Sequence, residues 1–267
     1  MGATAQGHGE HYLPGMGHDR LLPLYDPLCR LLGISRVHRP LVVQAGIRAG
    51  HRVLEIGCGT GNLALMVKRL HPGAEVVGLD PDPKALARAR RKAESESLRM
   101  GLDRGFAQDL PYPDASFDRV LSAFMFHHLD PEAKQATLRE VRRVLEPGGT
   151  LHLLDVGGTK ERSDGMMARL SHRNRMLQDN FGGRIPALMR EAGLADPAEV
   201  AHRVTRLMGR VTYYRATAPA TAPRAESGAG QPASAHLSGP RSGGVDGRDY
   251  GPSRGGGDSN HRYEESP

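Results

Sequence analysis

The chain has only two cysteines, Cys29 and Cys58, and neither stands in a C-x-x-C or metal-ligand spacing. A disulfide framework is therefore not expected, and a reducing, cytoplasmic setting is. No apolar run approaches the ~20 residues needed to span a bilayer, and the first residues show no basic stretch followed by an apolar one. Met1-Gly2 with Gln6 is a poor myristoylation signal. From residue 216 onward isoleucine, leucine, valine and phenylalanine almost vanish among proline, glycine, serine and alanine. Such a segment cannot bury enough apolar surface to offset its ordering entropy, so 216–267 reads as a disordered tail. The remaining length suits one α/β domain.

The net charge of +6 suggests an acidic partner, yet its distribution argues against nucleic acid. In the tail, Arg224, Arg241, Arg248, Arg254 and Arg262 face Glu226, Asp246, Asp249, Asp258, Glu264 and Glu265. The excess lies instead in helical patterns, Lys84 to Lys92 and Arg139 to Arg143, where solvated faces explain it.

Between Val53 and Asp155, short β-type runs alternate with helix-type patterns, the arrangement of successive βα units on a parallel sheet. Strands are expected at 52–56, 75–79, 102–107, 117–123 and 150–156. Helices are expected where Leu63, Met66, Val67 and Leu70, then Leu86, Ala89 and Ala93, then Leu138, Val141, Val144 and Leu145, fall on one face. Asp82-Pro83 and Asp130-Pro131 are cap and first-turn signals, and Pro147-Gly148-Gly149 is a stop. Further on, Met167, Leu170, Leu177 and Phe181 have helical spacing, as do Ile185, Leu188, Met189 and Ala192. Residues 199–205 and 210–214 read as strands of a hairpin at one sheet edge, joined across Leu207-Met208-Gly209. No internal repeat is visible. Before the domain, Leu21, Leu22, Leu24, Leu28, Leu31 and Leu32 are broken by Pro14, Pro23 and Pro27, the pattern of short helices over the carboxyl edge of a sheet. The expected architecture is a doubly wound, mostly parallel sheet with an antiparallel C-terminal edge hairpin. Its expected divisions are an N-terminal helical cap at 1–50, a ligand-binding domain at 51–215 and the tail.

The most informative residues are Leu54-Glu-Ile-Gly-Cys-Gly-Thr-Gly61, where a strand runs through Gly57, Gly59 and Gly61 into a helix. Glycines at alternate positions allow a sharp turn and a close backbone approach to a nucleotide-type ligand. The dinucleotide fingerprint G-x-G-x-x-G would put its third glycine at Asn62, and no Gly-Lys-Ser/Thr follows as in a Walker loop. Asp80 ends the second strand, where an acid can accept ribose hydroxyls, and Pro81 follows it. Asp109-Leu110 follows the third strand.

Glu55-x-Gly57-x-Gly59-x-Gly61, Asp80, Asp109, Asp114-Ala-Ser-Phe-Asp-Arg-Val120 and Glu140-Val-Arg-Arg-Val-Leu-Glu-Pro-Gly-Gly-Thr-Leu151 resemble, in order and spacing, the motifs of class I S-adenosylmethionine-dependent methyltransferases. The resemblance covers roughly 51–155. It is nearest to the type 11 and type 25 methyltransferase domains of the ubiquinone and menaquinone biosynthesis branch, in which Tyr25-Asp26 and Phe126-His127-His128-Leu129 are also familiar. It implies a Rossmann-like fold with S-adenosyl-L-methionine as cofactor. Glu55, Gly57, Gly59, Gly61, Asp80, Pro81, Asp109 and Leu110 are the implied cofactor residues, Asp109 lying near the adenine amino group.

Methyl transfer from a sulfonium needs positioning above all, and a base only where the acceptor must lose a proton. His127 is the candidate base, following the fourth strand, and His128 is the alternate. The plainer reading is that both pack or hydrogen-bond at the junction. A metal site is not expected, because adjacent residues rarely aim both rings at one ion. Tyr12, His18, Tyr25 and Asp26 are candidates to close over the substrate, and Met166, Met167, Leu170, Met176 and Phe181 to line an apolar pocket or simply to form core. The favoured function is a soluble methyltransferase with a small-molecule acceptor. The alternatives are a nucleic-acid or protein methyltransferase, which lacks support because Ala123-Phe-Met-Phe-His127 replaces the Asn/Asp-Pro-Pro-Tyr/Phe motif, and a non-catalytic S-adenosylmethionine-binding protein. The acceptor's identity and the oligomeric state are not written in these patterns.

Overall fold

A computed structural model describes residues 33–158, 180–205 and 209–220. The first described helix is α1, Ile34–Ala45, followed by β1 (Arg52–Ile56), α2 (Asn62–Leu70), β2 (Glu75–Asp80), α3 (Pro83–Ser95), β3 (Gly101–Arg104) and β4 (Phe117–Ala123). A 3₁₀ turn at Phe126–His128 leads to α4 (Pro131–Val144) and β5 (Leu145–Val156), and α5 (Arg184–Glu191), β6 (Ala195–Thr205) and β7 (Gly209–Thr217) complete the order.

The strands form one 7-stranded sheet in the order β3-β2-β1-β4-β5-β7-β6. The first five are parallel to one another, and β7 runs antiparallel to β5 and to β6. This is the doubly wound, Rossmann-like sheet with the antiparallel hairpin at one edge. The chain reverses its direction across the sheet between β1 and β4, the position at which open α/β sheets bind ligands outside the carboxyl ends of their strands.

Alternating side chains bury both faces, as a sheet covered by helices requires. Leu54, Val120, Leu151 and Leu153 belong to one core with Leu138 and Val141 of α4 and Ile185 and Met189 of α5. Val53, Leu121, Leu154 and Tyr213 belong to the other with Val37 and Leu41 of α1 and Leu63 and Val67 of α2.

The helix starts follow the capping signals. Asp82 accepts from the Lys84 N–H at 2.8 Å and Asp130 from the Ala133 N–H at 2.7 Å, each with proline in the first turn. Several boundaries differ from the sequence pattern. Helix α4 stops at Val144 and β5 starts at once, so Pro147-Gly148-Gly149 lies within its span at a break in the register with β4, Gly148 at φ 79°, and regular pairing resumes at Thr150 as expected. The third strand closes at Arg104, and Leu70 of α2 is exposed, with the groove between α1 and α2 beside it. Strand β6 begins at Ala195, ahead of the expected 199, because two register shifts in its pairing with β7 absorb extra residues. Strand β7 runs to Thr217, and Ala216 and Ala218 are buried.

Helix α1 carries Pro40 and was not legible from the sequence. Its inward face packs on β5, and Gln44 donates both to the Tyr214 carbonyl at 3.0 Å and to His152 Nδ1 at 3.1 Å. That leaves His152 Nε2–H to donate to Thr150 Oγ1 at 2.9 Å. Tyr213 adds a buried hydroxyl bond to the Val37 carbonyl at 2.8 Å. The expected tail boundary at 216 is too early, because Ala216 and Ala218 are buried and 216–218 are bonded to the sheet. The expected short helices over Leu21 to Leu32, the helical spacing from Met167 to Leu177 and the tail beyond 220 lie outside the described residues.

Candidate functional site

Strand β1 delivers the chain into Gly57, Gly59 and Gly61, which all adopt left-handed backbone with φ of 70, 52 and 76°. Close packing adds to the demand at Gly57, where a Cβ would come within 2.4 Å of Met125 Cγ. At Gly61 it would come within 2.9 Å of Ala89 Cβ on α3. Gly59 differs, because a Cβ there would meet no atom of the described residues within 4 Å. The loop therefore presents open space at its middle glycine and packed protein on either side.

Asp80 holds this loop in place. Its Oδ2 accepts from the Gly59 N–H at 2.8 Å and its Oδ1 from the Asp82 N–H at 2.9 Å. Each oxygen keeps a further lone pair for a hydroxyl donor. Burial pushes the Asp80 carboxyl upward, opposed by the two backbone donors, and the charge of Asp82 raises it further. Lys92 of α3 ties the start of α2 to this corner, donating to Asn62 Oδ1 at 2.7 Å and Thr60 Oγ1 at 3.2 Å.

Glu55 is buried in β1, one residue from the turn. Burial raises its carboxyl well above the ordinary range, with Asp80 adding to the shift, against the Ala64 N–H and the charge of Lys92. Its Oε2 has no hydrogen-bond partner among the described residues. An orphaned buried oxygen costs on the order of 1–3 kcal/mol, and the raised carboxyl, as the neutral acid, lessens that cost by removing the buried charge.

Beyond β3, Asp109 is exposed in a tight turn, its N–H bonded to the Phe106 carbonyl at 3.2 Å. The Leu110 side chain is buried, and its N–H donates to Glu140 Oε2 at 2.8 Å. Arg143 locks this corner from α4, bonding Glu140, Asp114 and the Leu110 and Tyr112 carbonyls. The Glu140 and Arg143 of the sequence motif thus shape the turn and are not themselves presented to a ligand. Pro81 is half-buried, and its carbonyl accepts from Arg104 Nε at 3.2 Å.

At the end of β4 the chain turns through Phe124, a non-glycine residue at φ 57°, whose ring lies 6.0 Å from that of His38 on α1. The 3₁₀ turn then sets the His127 ring against Asp155 at the end of β5, with Nδ1 2.6 Å from Oδ1. The His127 N–H also donates to Asp155 Oδ2 at 3.1 Å. Asp155 is 0% exposed. Burial alone would lower the His127 pKa, but the charge and hydrogen bond of Asp155 outweigh it and raise it, against a smaller opposing effect of Lys134. His128, more exposed, has its ring 4.0 Å from that of His127 and is held below the usual imidazole range by partial burial and by His127. Among the described residues no group of three or more His, Cys, Asp or Glu could hold a metal ion.

The structure thus brings the glycine loop and Asp80 together and pairs His127 with Asp155, a residue the motif reading passed over. The signal was present as one acid closing the apolar run Leu151-His-Leu-Leu-Asp155. Phe181 is buried, bridged to Gly158, whereas Tyr12, His18, Tyr25, Asp26, Met166, Met167, Leu170 and Met176 lie outside the described residues.

Comparison with known proteins agrees with this geometry. The methyltransferase domain family matches residues 53–149. A demethylmenaquinone methyltransferase of Thermus thermophilus is 40% identical over 171 residues, which cover 61% of this chain and 77% of that protein. The Deinococcus radiodurans protein of the same name is 41% identical over 138 residues, covering 51% of this chain and 56% of that protein. In fold, the chain is similar to Haemonchus contortus phosphoethanolamine N-methyltransferase 2 in complex with S-adenosyl-L-methionine, with a TM-score of 0.57 at 16% identity, over 69% of this chain and 52% of that one.

Proposed function

The chain belongs to the S-adenosylmethionine-dependent methyltransferases, and from that premise we propose that it methylates a small, hydroxylated aromatic ring of the demethylmenaquinol type. The name of the Thermus relative supports the acceptor class, and the observation that carries the site assignment is the Gly59-to-Asp80 hydrogen bond of 2.8 Å beside open space at the middle glycine. The spare lone pairs of Asp80 fit a ligand rich in hydroxyl donors, as this cofactor is.

In this reading Gly57, Gly59 and Gly61 form the cradle, Asp80 accepts from the ribose hydroxyls, and Pro81 borders them. Asp109 accepts from the adenine amino group. Leu110 contributes apolar contact alone, because its N–H is already given to Glu140. Glu55 anchors the amino-acid end of the cofactor through the loop. When bound, the cofactor supplies an electrophilic methyl group on a sulfonium.

The protein's own part is to hold the acceptor in line and to take its proton. Such positioning can supply roughly 7–11 kcal/mol of the barrier. His127 is the base, removing a ring hydroxyl proton through Nε2, and His128 flanks it. The residues ahead of α1 we assign as a cap over the acceptor and 221–267 as a dispensable tail, since α1 belongs to the core and 216–218 to the sheet. A cytoplasmic location suits the buried, free thiol of Cys58. No described helix is long and apolar enough to cross a membrane.

The test is mass-spectrometric detection of a methylated product when the protein, S-adenosylmethionine and a short-chain demethylmenaquinol are incubated together. One added methyl per ring is expected. Methylation of small amines or of nucleic acid, with the quinol untouched, would overturn the acceptor assignment while leaving the family in place.

A further inference from the structure

We propose that Asp155 is the positioning residue of the reaction, fixing His127 as the Nδ1–H tautomer so that Nε2 is the nitrogen that receives the acceptor's proton. This rests on His127 being the base. The two residues come from the carboxyl ends of neighbouring parallel strands, β4 and β5, where Ala123 pairs with Leu154. Asp155 Oδ1 lies 2.6 Å from His127 Nδ1, and an ionised carboxylate can only accept, so Nδ1 carries the hydrogen. Asp155 Oδ2 takes the backbone N–H of the same histidine at 3.1 Å, so one carboxylate grips the residue at two points and leaves the ring little freedom to turn. With Nδ1 spoken for, Nε2 has no partner among the described residues, on a side chain that is 19% exposed while Asp155 is fully enclosed.

A role confined to capping the 3₁₀ turn would explain only Oδ2. It leaves unexplained why a carboxylate is fully enclosed where its other donor, besides His127, is the Val156 N–H at 2.6 Å. Burying an ion costs several kcal/mol unless a counter-charge arrives. When the acceptor O–H bond breaks, its proton forms an N–H bond at Nε2 and its electron pair is left on the acceptor. As the acceptor bonds the methyl carbon, the methyl–sulfur bond would break with its pair leaving on S-adenosylhomocysteine, and where the new bond is to ring carbon, that carbon's proton is lost to water and the ring hydroxyl restored. The resulting imidazolium is the missing counter-charge for Asp155, so the pair is best satisfied at the moment the proton has moved.

The charged and titratable neighbours set the direction of the pH effect. Lys134 on α4 opposes the imidazolium, which itself adds to burial in holding down His128 in the same turn. Tyr214 on β7 feels Asp155 together with Glu199 on β6 and Arg210, and the latter two are 4.0 Å apart. Asp155 is therefore the negative group in contact with the His127 ring.

Two measurements test the assignment. In wild-type protein without cofactor, ¹⁵N NMR of labelled histidine should find neutral His127 protonated at Nδ1 and titrating above an ordinary imidazole. A neutral Nε2–H tautomer would overturn the proposal without the need for any variant. Asp155→Asn should then lower the His127 titration, erase the tautomer preference and reduce kcat about 10²-fold with KM nearly unchanged. In a His127→Ala background the same change should cost little more. A slow His127→Ala enzyme combined with a wild-type rate and titration in Asp155→Asn would overturn the role of Asp155 alone. A wild-type rate in His127→Ala would overturn the base assignment on which it rests.

Discussion

At the scale of single residues, the three loop glycines differ in what each would lose, and the difference separates folding from binding. Gly57→Ala forces a left-handed alanine, at about 1–2 kcal/mol, into contact with Met125, for which overpacking typically adds about 1–3 kcal/mol. Because the clashing atoms belong to a flexible side chain, Met125→Ala should recover much of that loss, a coupling that urea denaturation of the double mutant would reveal. Gly59→Ala carries only the backbone strain and meets no atom of the described residues, so it should melt near wild type and yet bind S-adenosylhomocysteine at least tenfold more weakly. Normal affinity in that variant would reduce the loop to a structural turn. Asp80→Asn sets an amide N–H₂ against the Gly59 or the Asp82 N–H and removes a charged acceptor. A loss of about 1.5–3 kcal/mol of cofactor affinity is expected by calorimetry.

At the scale of elements, the buried histidines give the fold a pH dependence that can be signed. Burial lowers His38 on α1 to about 4, and burial together with Arg119 and Arg215 lowers His152 on β5 to about 3. Both are neutral in the fold, whereas in the unfolded chain they gain protons as the pH falls through ~6.5. Stability should therefore fall by about 1.4 kcal/mol per pH unit for each, continuing down to the folded values. The raised His127 acts oppositely, contributing stability below ~6.5 that is lost as the pH rises through its folded value. His128, also depressed, adds to the loss in acid, while the raised carboxyls of Glu55 and Asp80 act with His127 in the opposite direction, so the contribution of one histidine is read by removing it. His38→Phe, which keeps the ring contact with Phe124, should flatten the slope between pH 6.5 and 4 in urea titrations, and an unchanged slope would contradict the account.

The same scale shows how much was legible in the sequence. The βα alternation and the two Asp-Pro caps were readable because they are local signals, and so was the glycine turn. Helix α1 was not, because Pro40 argues against a helix interior and only the packing of Val37, Leu41 and Val42 on the sheet overrides it. The single pair at Leu145 was hidden by Pro147-Gly148-Gly149, a stop signal that here marks a break in the strand's register before pairing resumes at Thr150. Of the candidate site, the glycine loop and Asp80 were carried by a spacing motif. Asp155 was missed because its meaning depends on a contact with His127, 28 residues away in sequence, across two strand ends.

At the scale of the whole molecule, the proposed cofactor residues all come from the first five strands, their helices and the loops between them. Deleting 221–267 should therefore leave melting temperature and cofactor affinity within error of the full chain, and a fall in either would show that those residues support the site. The central claim is that the glycine loop and Asp80 form an S-adenosylmethionine site and not a dinucleotide site. Isothermal titration of the full-length protein with S-adenosylhomocysteine and, separately, with NADH tests it most directly. Saturable one-to-one binding of S-adenosylhomocysteine, weakened in Asp80→Asn and undetectable for NADH, is the predicted result, and tighter binding of NADH than of S-adenosylhomocysteine would contradict it.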